Sequence, residues 1–275
     1  MDLAKPNGLK LRVLSSADAE KAIIRCKGRE IGGREKVIIA GPCAIESAGQ
    51  MRAIAASLCE RGVFILRGGA YKPRTSPYSF QGMRQDGVKL MHDVAEEFGM
   101  ISISEMVDTR LADLFHKYID IIQIGSRNMQ NFELLKVAGQ MDKPIFLKRG
   151  FMATLEEFLN AAEYVIHHGN SRIILCERGI RTFETFTRNT LDIAGMVLLK
   201  CYTRFPVFAD ISHALGRKDI ASDIASAVLV AGADGIMIEV HQEPESAKSD
   251  NFQQLSLQEF ATLKRNIEPY LHTRE

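Results

Sequence analysis

Eight short, nearly continuous apolar runs recur along this chain, at 37–40, 63–66, 101–104, 121–124, 145–147, 173–175, 207–209 and 235–238. Runs of this length without polar alternation belong to parallel strands covered on both faces. Between them, Ala161-Ala162 with Val165-Ile166, and Ile220 with Ile224-Ala225 and Val228, put apolar residues on one face of a helix. Gly62, Gly99 and Gly232 follow the ends of such stretches, where a left-handed cap needs glycine. Asp108 and Thr154 stand where an N-cap is wanted. Strands and helices in strict alternation predict an α/β fold of the (β/α)8 TIM-barrel type. A doubly wound open sheet fits the same alternation, but no GxGxxG follows the first run, which weakens its dinucleotide-binding form. A length of 275 residues with 46% hydrophobic content suits one such barrel. Residues 23–33 read as a short N-terminal β-hairpin closing the barrel's lower end. The expected organisation is a tail and hairpin over 1–35 and a catalytic barrel over 36–275.

The formal net charge is +1, so no global field draws the protein to nucleic acid or to a membrane surface, and any basic site is local. The five cysteines form no CxxC pair, which argues against a disulfide framework and a structural zinc knuckle. The first residues lack the apolar core of a signal peptide, and no apolar run approaches the roughly 18 residues of a membrane span. A cytoplasmic protein with no nucleic-acid or membrane partner is expected.

Polar residues collect where the apolar runs end, and in a barrel the C-terminal strand ends build the active site. The first two runs lead to Gly41-Pro42-Cys43 and to Arg67-Gly68-Gly69, followed by Lys72-Pro73-Arg74-Thr75-Ser76-Pro77. The next three lead to Glu105, Gly125-Ser126-Arg127-Asn128 and Lys148-Arg149-Gly150. The last three lead to Cys176-Glu177-Arg178-Gly179, to Asp210 with Ser212-His213, and to Glu239 with His241, ahead of Asp250. Taken singly, Arg67, Lys72, Arg74, Arg127, Lys148 and Arg178 are ordinary solvated charges. A closed barrel makes them converge, and convergent cations imply an anionic ligand whose carboxylate or phosphate oxygens suit arginine forks. Cys43 alone would be a buried core thiol. With His213, Glu239 and Asp250 it makes a thiolate, imidazole and carboxylate set, because the first and last strands are neighbours in a closed barrel. Glu239 and His241 are two apart and share a strand face. Cys59 (inside a helix), Cys201 (after one) and Cys26 (ahead of the barrel) lack this setting and read as structural.

The segments Gly41 to Ser47, Arg67 to Pro77, Ile124 to Asn131, Leu147 to Gly150, Cys176 to Thr182, Asp210-x-Ser212-His213, Glu239-Val240-His241 and Ser249-Asp250 together resemble a known family. It is 3-deoxy-D-arabino-heptulosonate 7-phosphate (DAHP) synthase, the first shikimate-pathway enzyme of aromatic amino acid biosynthesis, in the type I beta core-barrel form without a regulatory domain. The resemblance runs from about residue 20 to the end, and Lys72-Pro73-Arg74-Thr75 is its most specific part. Ser126 stands where the family often has Ala, Ile211 where Pro or Cys is more familiar, and Ala214-Leu215-Gly216-Arg217 replaces a smaller, more polar stretch.

The resemblance implies that Cys43, His213, Glu239 and Asp250 bind one divalent metal ion, for which Mn²⁺, Fe²⁺, Co²⁺ and Zn²⁺ all suit the ligand set. It implies that Arg67, Lys72, Arg127, Lys148 and Arg178 bind phosphoenolpyruvate, that Arg74 and Thr75 hold erythrose 4-phosphate, and that Ser126 is a further substrate-binding residue. Lys72, Glu105 and His241 are the implied catalytic or supporting residues. A homo-oligomer, dimer or tetramer, is the family's usual form. Two other readings compete. The 3-deoxy-octulosonate 8-phosphate synthases use arabinose 5-phosphate, but their loop reads Lys-Ala-Asn-Arg-Ser rather than Lys72-Pro73-Arg74-Thr75-Ser76. A non-catalytic barrel serving as a binding or regulatory subunit would not need the complete set of donors and cations. Neither end of the sequence reads as a second core of about 50 residues, so control by phenylalanine, tyrosine or tryptophan through an appended domain is not expected.

Overall fold

The structure, a computed structural model, describes residues 11–14, 20–74 and 76–272. An antiparallel hairpin comes first, β1 (Ile24–Cys26) and β2 (Arg29–Ile31). Its two-residue turn, Lys27-Gly28, has positive φ at both positions (45° and 74°), the geometry that matches the twist of paired strands. The barrel then forms from β3 (Val37–Gly41), β4 (Ile65–Arg67), β5 (Ile101–Glu105), β6 (Ile121–Ile124), β7 (Ile145–Lys148), β8 (Ile173–Glu177), β9 (Val207–Asp210) and β10 (Gly235–Glu239). Neighbours pair in parallel in chain order, and β10 returns to β3 with Gly235 opposite Val37 and Glu239 opposite Gly41. This closed barrel with its separate hairpin is the expected architecture.

Helices α1 (Ala48–Cys59), α2 (Arg84–Glu97), α3 (Ala112–Tyr118), α4 (Phe132–Gln140), α5 (Leu155–His167), α6 (Ile193–Tyr202), α7 (Ile211–Leu215), α8 (Ala221–Val230) and α9 (Leu257–Ile267) return the chain between strands. Thr154 caps α5 in a reciprocal box with Glu157, and Asp108 caps the 3₁₀ turn ahead of α3. Two details differ from the sequence reading. The strand expected at 63 opens at Ile65, and Cys201 lies inside α6 rather than after it. Cys59 and Cys201 are exposed on their helices, so neither is a packing residue.

Strand parity sets the core. Ile38, Leu66, Ile122, Leu147, Leu175, Ala209 and Ile238 pack outward under the helices. Ile39, Ile65, Ile103, Ile121, Phe146, Ile174, Phe208 and Met237 pack inside the barrel. Ile24 and Ile31 of the hairpin join this inner cluster beside Val37 and Ile101, which open their strands. The hairpin therefore plugs the N-terminal end of the barrel. One step of two residues further along six of the eight strands, the inward positions turn polar, and that change of chemistry defines the opposite mouth.

Candidate active site

Adding two to an apolar inward residue gives Arg67 from Ile65, Glu105 from Ile103, Gln123 from Ile121, Lys148 from Phe146, Asp210 from Phe208 and Glu239 from Met237. Arg67, Lys148, Asp210 and Glu239 are buried and cannot stay charged there unpaired. Arg67 Nη1 donates to Glu239 Oε1 at 2.5 Å, and Lys148 Nζ donates to Asp210 Oδ2. β4 and β10, the two strands that flank β3, thus contribute to one charged layer. Gly41, with φ of 149°, lets the β3 end approach β4: a Cβ there would lie 2.0 Å from the Arg67 carbonyl oxygen.

Four donor residues meet above this layer. One ligand atom each from Cys43, His213, Glu239 and Asp250 lies within 4.8 Å of the others. Cys43 Sγ is 2.9 Å from Ser249 Oγ, 3.1 Å from Asp250 Oδ2 and 3.1 Å from Lys72 Nζ. Its thiol is pushed up to about 12 by burial and by the Glu239 carboxylate, with Lys72 opposing. His213 Nδ1 lies 2.9 Å from Asp210 Oδ2, and Nε2 is 3.4 Å from Glu239 Oε1. Burial lowers the His213 imidazole from its usual range, so the ring is neutral with Nδ1–H donated to Asp210 and the Nε2 lone pair turned to the cluster. Burial would raise the Asp210 carboxyl, but the His213 ring and the Lys148 ammonium outweigh it and hold it well below the usual carboxylate range. Gln253 Nε2 donates to Glu239 Oε2 at 2.6 Å, and Asp250 sits at a φ of 49°, uncommon for a residue with a side chain. A thiol, an imidazole fixed by a buried carboxylate and two further carboxylates fit a divalent cation of the first-row transition series or zinc.

Beside the cluster opens a cavity of about 340 Å³, within the range of small-molecule sites. Arg67, Lys72, Arg74, Arg127, Lys148 and Arg178 all line it, with Glu105, Ser126, His213 and Asp250. The sequence-derived cations therefore do converge. Arg67 Nε, Arg74 Nη2 and Arg178 Nε are buried yet find no acceptor among the described residues. Such donors cost about 1–3 kcal/mol each unless an acceptor is supplied. Burial lowers the Arg178 guanidinium to about 10, and it is held by the carbonyls of Gly179 and His213. Glu105 also faces the cavity, and Gly125 makes room for it: a Cβ at that position would lie 2.0 Å from Glu105 Oε1.

Thr75 lies outside the described residues. His241 is buried but does not line the cavity. β10 ends at Glu239, so His241 falls in the next segment, its Nδ1 accepting from the Glu243 N–H at 3.0 Å. Four residues escape the sequence reading. Arg188 lines the cavity and reaches Asp250 Oδ1 at 3.4 Å and Gln253 Oε1 at 3.0 Å. Phe151 and Gln123 line the same cavity, and Gln253 orients Glu239. Gln123 had a usable signal, its inward parity; the others lie in loops without a period.

The fold and this mouth define a class: a (β/α)8-barrel enzyme with a cation-lined pocket beside a four-donor cluster. Within that class the affiliation is specific. The family model of the DAHP synthetase I family matches residues 17–272. Phospho-2-dehydro-3-deoxyheptonate aldolase from Thermotoga maritima is 47% identical over 248 residues, which is 90% of this chain and 73% of that protein. Its crystal structure superposes with a TM-score of 0.91 at 44% identity, covering 94% of this chain and 76% of that one. A truncated form of 3-deoxy-D-arabino-heptulosonate 7-phosphate synthase from Thermotoga maritima gives 0.85 at 42% identity, with coverages of 91% and 92%. A 2-dehydro-3-deoxyphosphooctonate aldolase from Koribacter versatilis is more distant, 28% identical over 256 residues, covering 85% of this chain and 90% of that protein. The chain belongs to the DAHP synthetase I family.

Proposed function

We propose that this chain condenses phosphoenolpyruvate with D-erythrose 4-phosphate and water, giving 3-deoxy-D-arabino-heptulosonate 7-phosphate and inorganic phosphate. Family membership supports the reaction. The single observation that carries the choice of site is the set of buried arginine N–H groups of Arg67, Arg74 and Arg178, which lack protein acceptors among the described residues and line one cavity. Two polyanions repel each other, and a preassembled cationic wall offsets much of the cost of bringing them together.

In this reading Arg67, Lys72, Ser126, Arg127, Lys148 and Arg178 hold the carboxylate and phosphate of phosphoenolpyruvate. Arg74 and Thr75 hold the distal phosphate of the sugar. Cys43, His213, Glu239 and Asp250 would hold a divalent cation, for which Mn²⁺, Fe²⁺, Co²⁺ and Zn²⁺ all suit the donors. When bound, the cation supplies Lewis-acid polarisation of the aldehyde oxygen. The C3 carbon of phosphoenolpyruvate then bonds to C1 of the aldehyde, water adds at C2, and the C2–O bond to phosphate breaks as phosphate leaves. Lys72, its Nζ 3.1 Å from both Cys43 Sγ and the Cys43 carbonyl, donates a proton to the new C1 oxygen. Glu105 has no salt-bridge partner among the described residues and takes the proton of the added water. His241 supports the site through its backbone: its N–H donates to Leu255 O at 2.8 Å, joining the end of β10 to the segment beyond Asp250. A cytoplasmic homo-oligomer, dimer or tetramer, completes the proposal.

The test is phosphate release from phosphoenolpyruvate with each aldose phosphate, in the presence of Mn²⁺. A kcat/KM with erythrose 4-phosphate well above that with arabinose 5-phosphate is expected. The reverse preference moves the chain to the octulosonate reaction, and no turnover with either sugar overturns the proposal.

A further inference from the structure

Two of the cavity's arginines, the exposed Arg127 and the buried Arg178, are held differently from its buried, paired cations. Arg67 is paired with Glu239, and Lys148 with Asp210. Arg127 and Arg178 have no carboxylate within salt-bridge distance among the described residues; both meet the ring of Phe151, and Arg178 also donates to the carbonyls of Gly179 and His213. The guanidinium carbon of Arg127 lies 5.2 Å from the ring centroid and that of Arg178 4.7 Å, with a third guanidinium, Arg181, at 5.0 Å. Phe151 follows β7 in the loop to α5 and is half-buried, lining the cavity. Its carbonyl accepts the Arg181 N–H at 2.7 Å, so the loops after β7 and β8 are joined behind the ring.

A carboxylate partner would fix these arginines but would also neutralise them and occupy their N–H groups. An aromatic face attracts a guanidinium through the ring quadrupole and takes none of its in-plane donors. The Arg178 Nε–H is buried without an acceptor, consistent with a group oriented but not consumed. Three cations around one ring repel each other, so the arrangement favours a polyanion beside it.

We infer that Phe151 is a positioning residue for phosphoenolpyruvate: its ring aims Arg127 and Arg178 at the anion without taking any of their N–H donors, and the Arg178 Nε–H stays available. The inference rests on the proposed function, in which these arginines hold that substrate. Phe151→Leu keeps apolar bulk and removes the quadrupole. Phe151→Tyr keeps both ring and bulk.

The experiment compares the wild type with Phe151→Leu, Phe151→Met and Phe151→Tyr, each first checked by thermal melting. Steady-state kinetics are followed with both substrates, and phosphoenolpyruvate binding is followed by calorimetry without the sugar. In the leucine and methionine variants the phosphoenolpyruvate KM and Kd rise about tenfold, while kcat and the erythrose 4-phosphate KM stay within about twofold. The tyrosine variant stays within about twofold of the wild type throughout. An unchanged phosphoenolpyruvate Kd in a folded leucine or methionine variant overturns the inference, and so does an equal loss in the tyrosine variant. A wild type that neither binds nor turns over phosphoenolpyruvate refutes the proposed function itself, a result distinct from either of these.

Discussion

Asp210 Oδ2 sits 2.9 Å from His213 Nδ1 and also accepts from Lys148 Nζ, so one buried carboxylate orients a cluster imidazole and a pocket cation together. The same side chain caps α7, its Oδ1 taking the His213 backbone N–H at 2.9 Å. Asp210→Asn keeps the size but turns an amide donor toward one of two groups that are themselves donors. The His213 ring then loses its fixed tautomer. A loss of about 10- to 100-fold in Mn²⁺ affinity is expected, the usual effect of removing a carboxylate behind a histidine ligand. Metal-buffered titration of the purified variant measures it, and an unchanged affinity rules out the orienting role.

Metal uptake should release a proton from Cys43. Its thiol is pushed up to about 12 by burial and the Glu239 carboxylate, so it is protonated throughout the neutral range when no cation is bound. A thiolate is the form that ligates, and proton and cation compete for the same sulfur. Affinity therefore rises with pH, by about tenfold per unit for one displaced proton. The His213 ring, lowered by burial, is already neutral and adds no proton there. Chelation should abolish turnover, and Mn²⁺ should restore it. Cys43→Ser binds more weakly and loses most of the pH slope. Full activity after exhaustive chelation, with no metal detected in the protein, removes the cluster from the reaction.

Much of this site was legible because barrel strands alternate. Arg67, Glu105, Lys148 and Glu239 each stand two residues beyond an inward apolar side chain, at the C-terminal end of a strand. The same parity carries Gln123 and Asp210, whose inward direction could have been read from Ile121 and Phe208. The hairpin was legible from its glycines and turn, and its plugging role follows from Ile24 and Ile31 meeting the inner strand residues. Phe151 and Arg188 were not legible. They lie in loops, where no period relates position to direction, and their neighbours come from other strands. Cys59 and Cys201 show the complementary failure: helix membership alone does not tell an inner face from an outer one.

Arg74 should separate the two substrates. Its Nε donates to Phe80 O at 3.2 Å, which fixes the side chain within its loop, and its buried Nη2 has no acceptor among the described residues. Arg74→Ala removes a charge-assisted contact of about 1.5–3 kcal/mol. The KM for erythrose 4-phosphate should rise about tenfold or more, with that for phosphoenolpyruvate nearly unchanged. This is the mirror image of the effect expected at Phe151, so the two variants would tell the two substrates' contacts apart. Equal rises in both KM values would assign Arg74 to general electrostatics instead.

Stability should depend on an ion pair network just outside the cavity. Arg149 Nη1 donates to Glu177 Oε2 at 2.7 Å and to Asp192 Oδ2 at 2.8 Å, while Nε donates to the Ala153 carbonyl at 2.9 Å. Arg149 thus ties the ends of β7 and β8 to the N-cap of α6, since Asp192 also accepts the Gly195 N–H. The Glu177 side chain is fully buried, and its other oxygen takes the Gly179 N–H at 2.6 Å. Arg149→Met leaves the Glu177 charge buried without its cation, a change that costs about 3–5 kcal/mol in comparable sites. Adding Glu177→Gln removes that charge and should recover a large part of the loss, although the amide still needs a partner. Urea unfolding of the single and double variants tests this. A midpoint that falls in Arg149→Met and returns toward the wild type in the double variant, at constant m, is expected. Because Gly179 follows Arg178, the single variant should also raise the phosphoenolpyruvate KM. A loss below about 1 kcal/mol, the range of exposed ion pairs, would mean that water reaches Glu177 and that the network is not sealed.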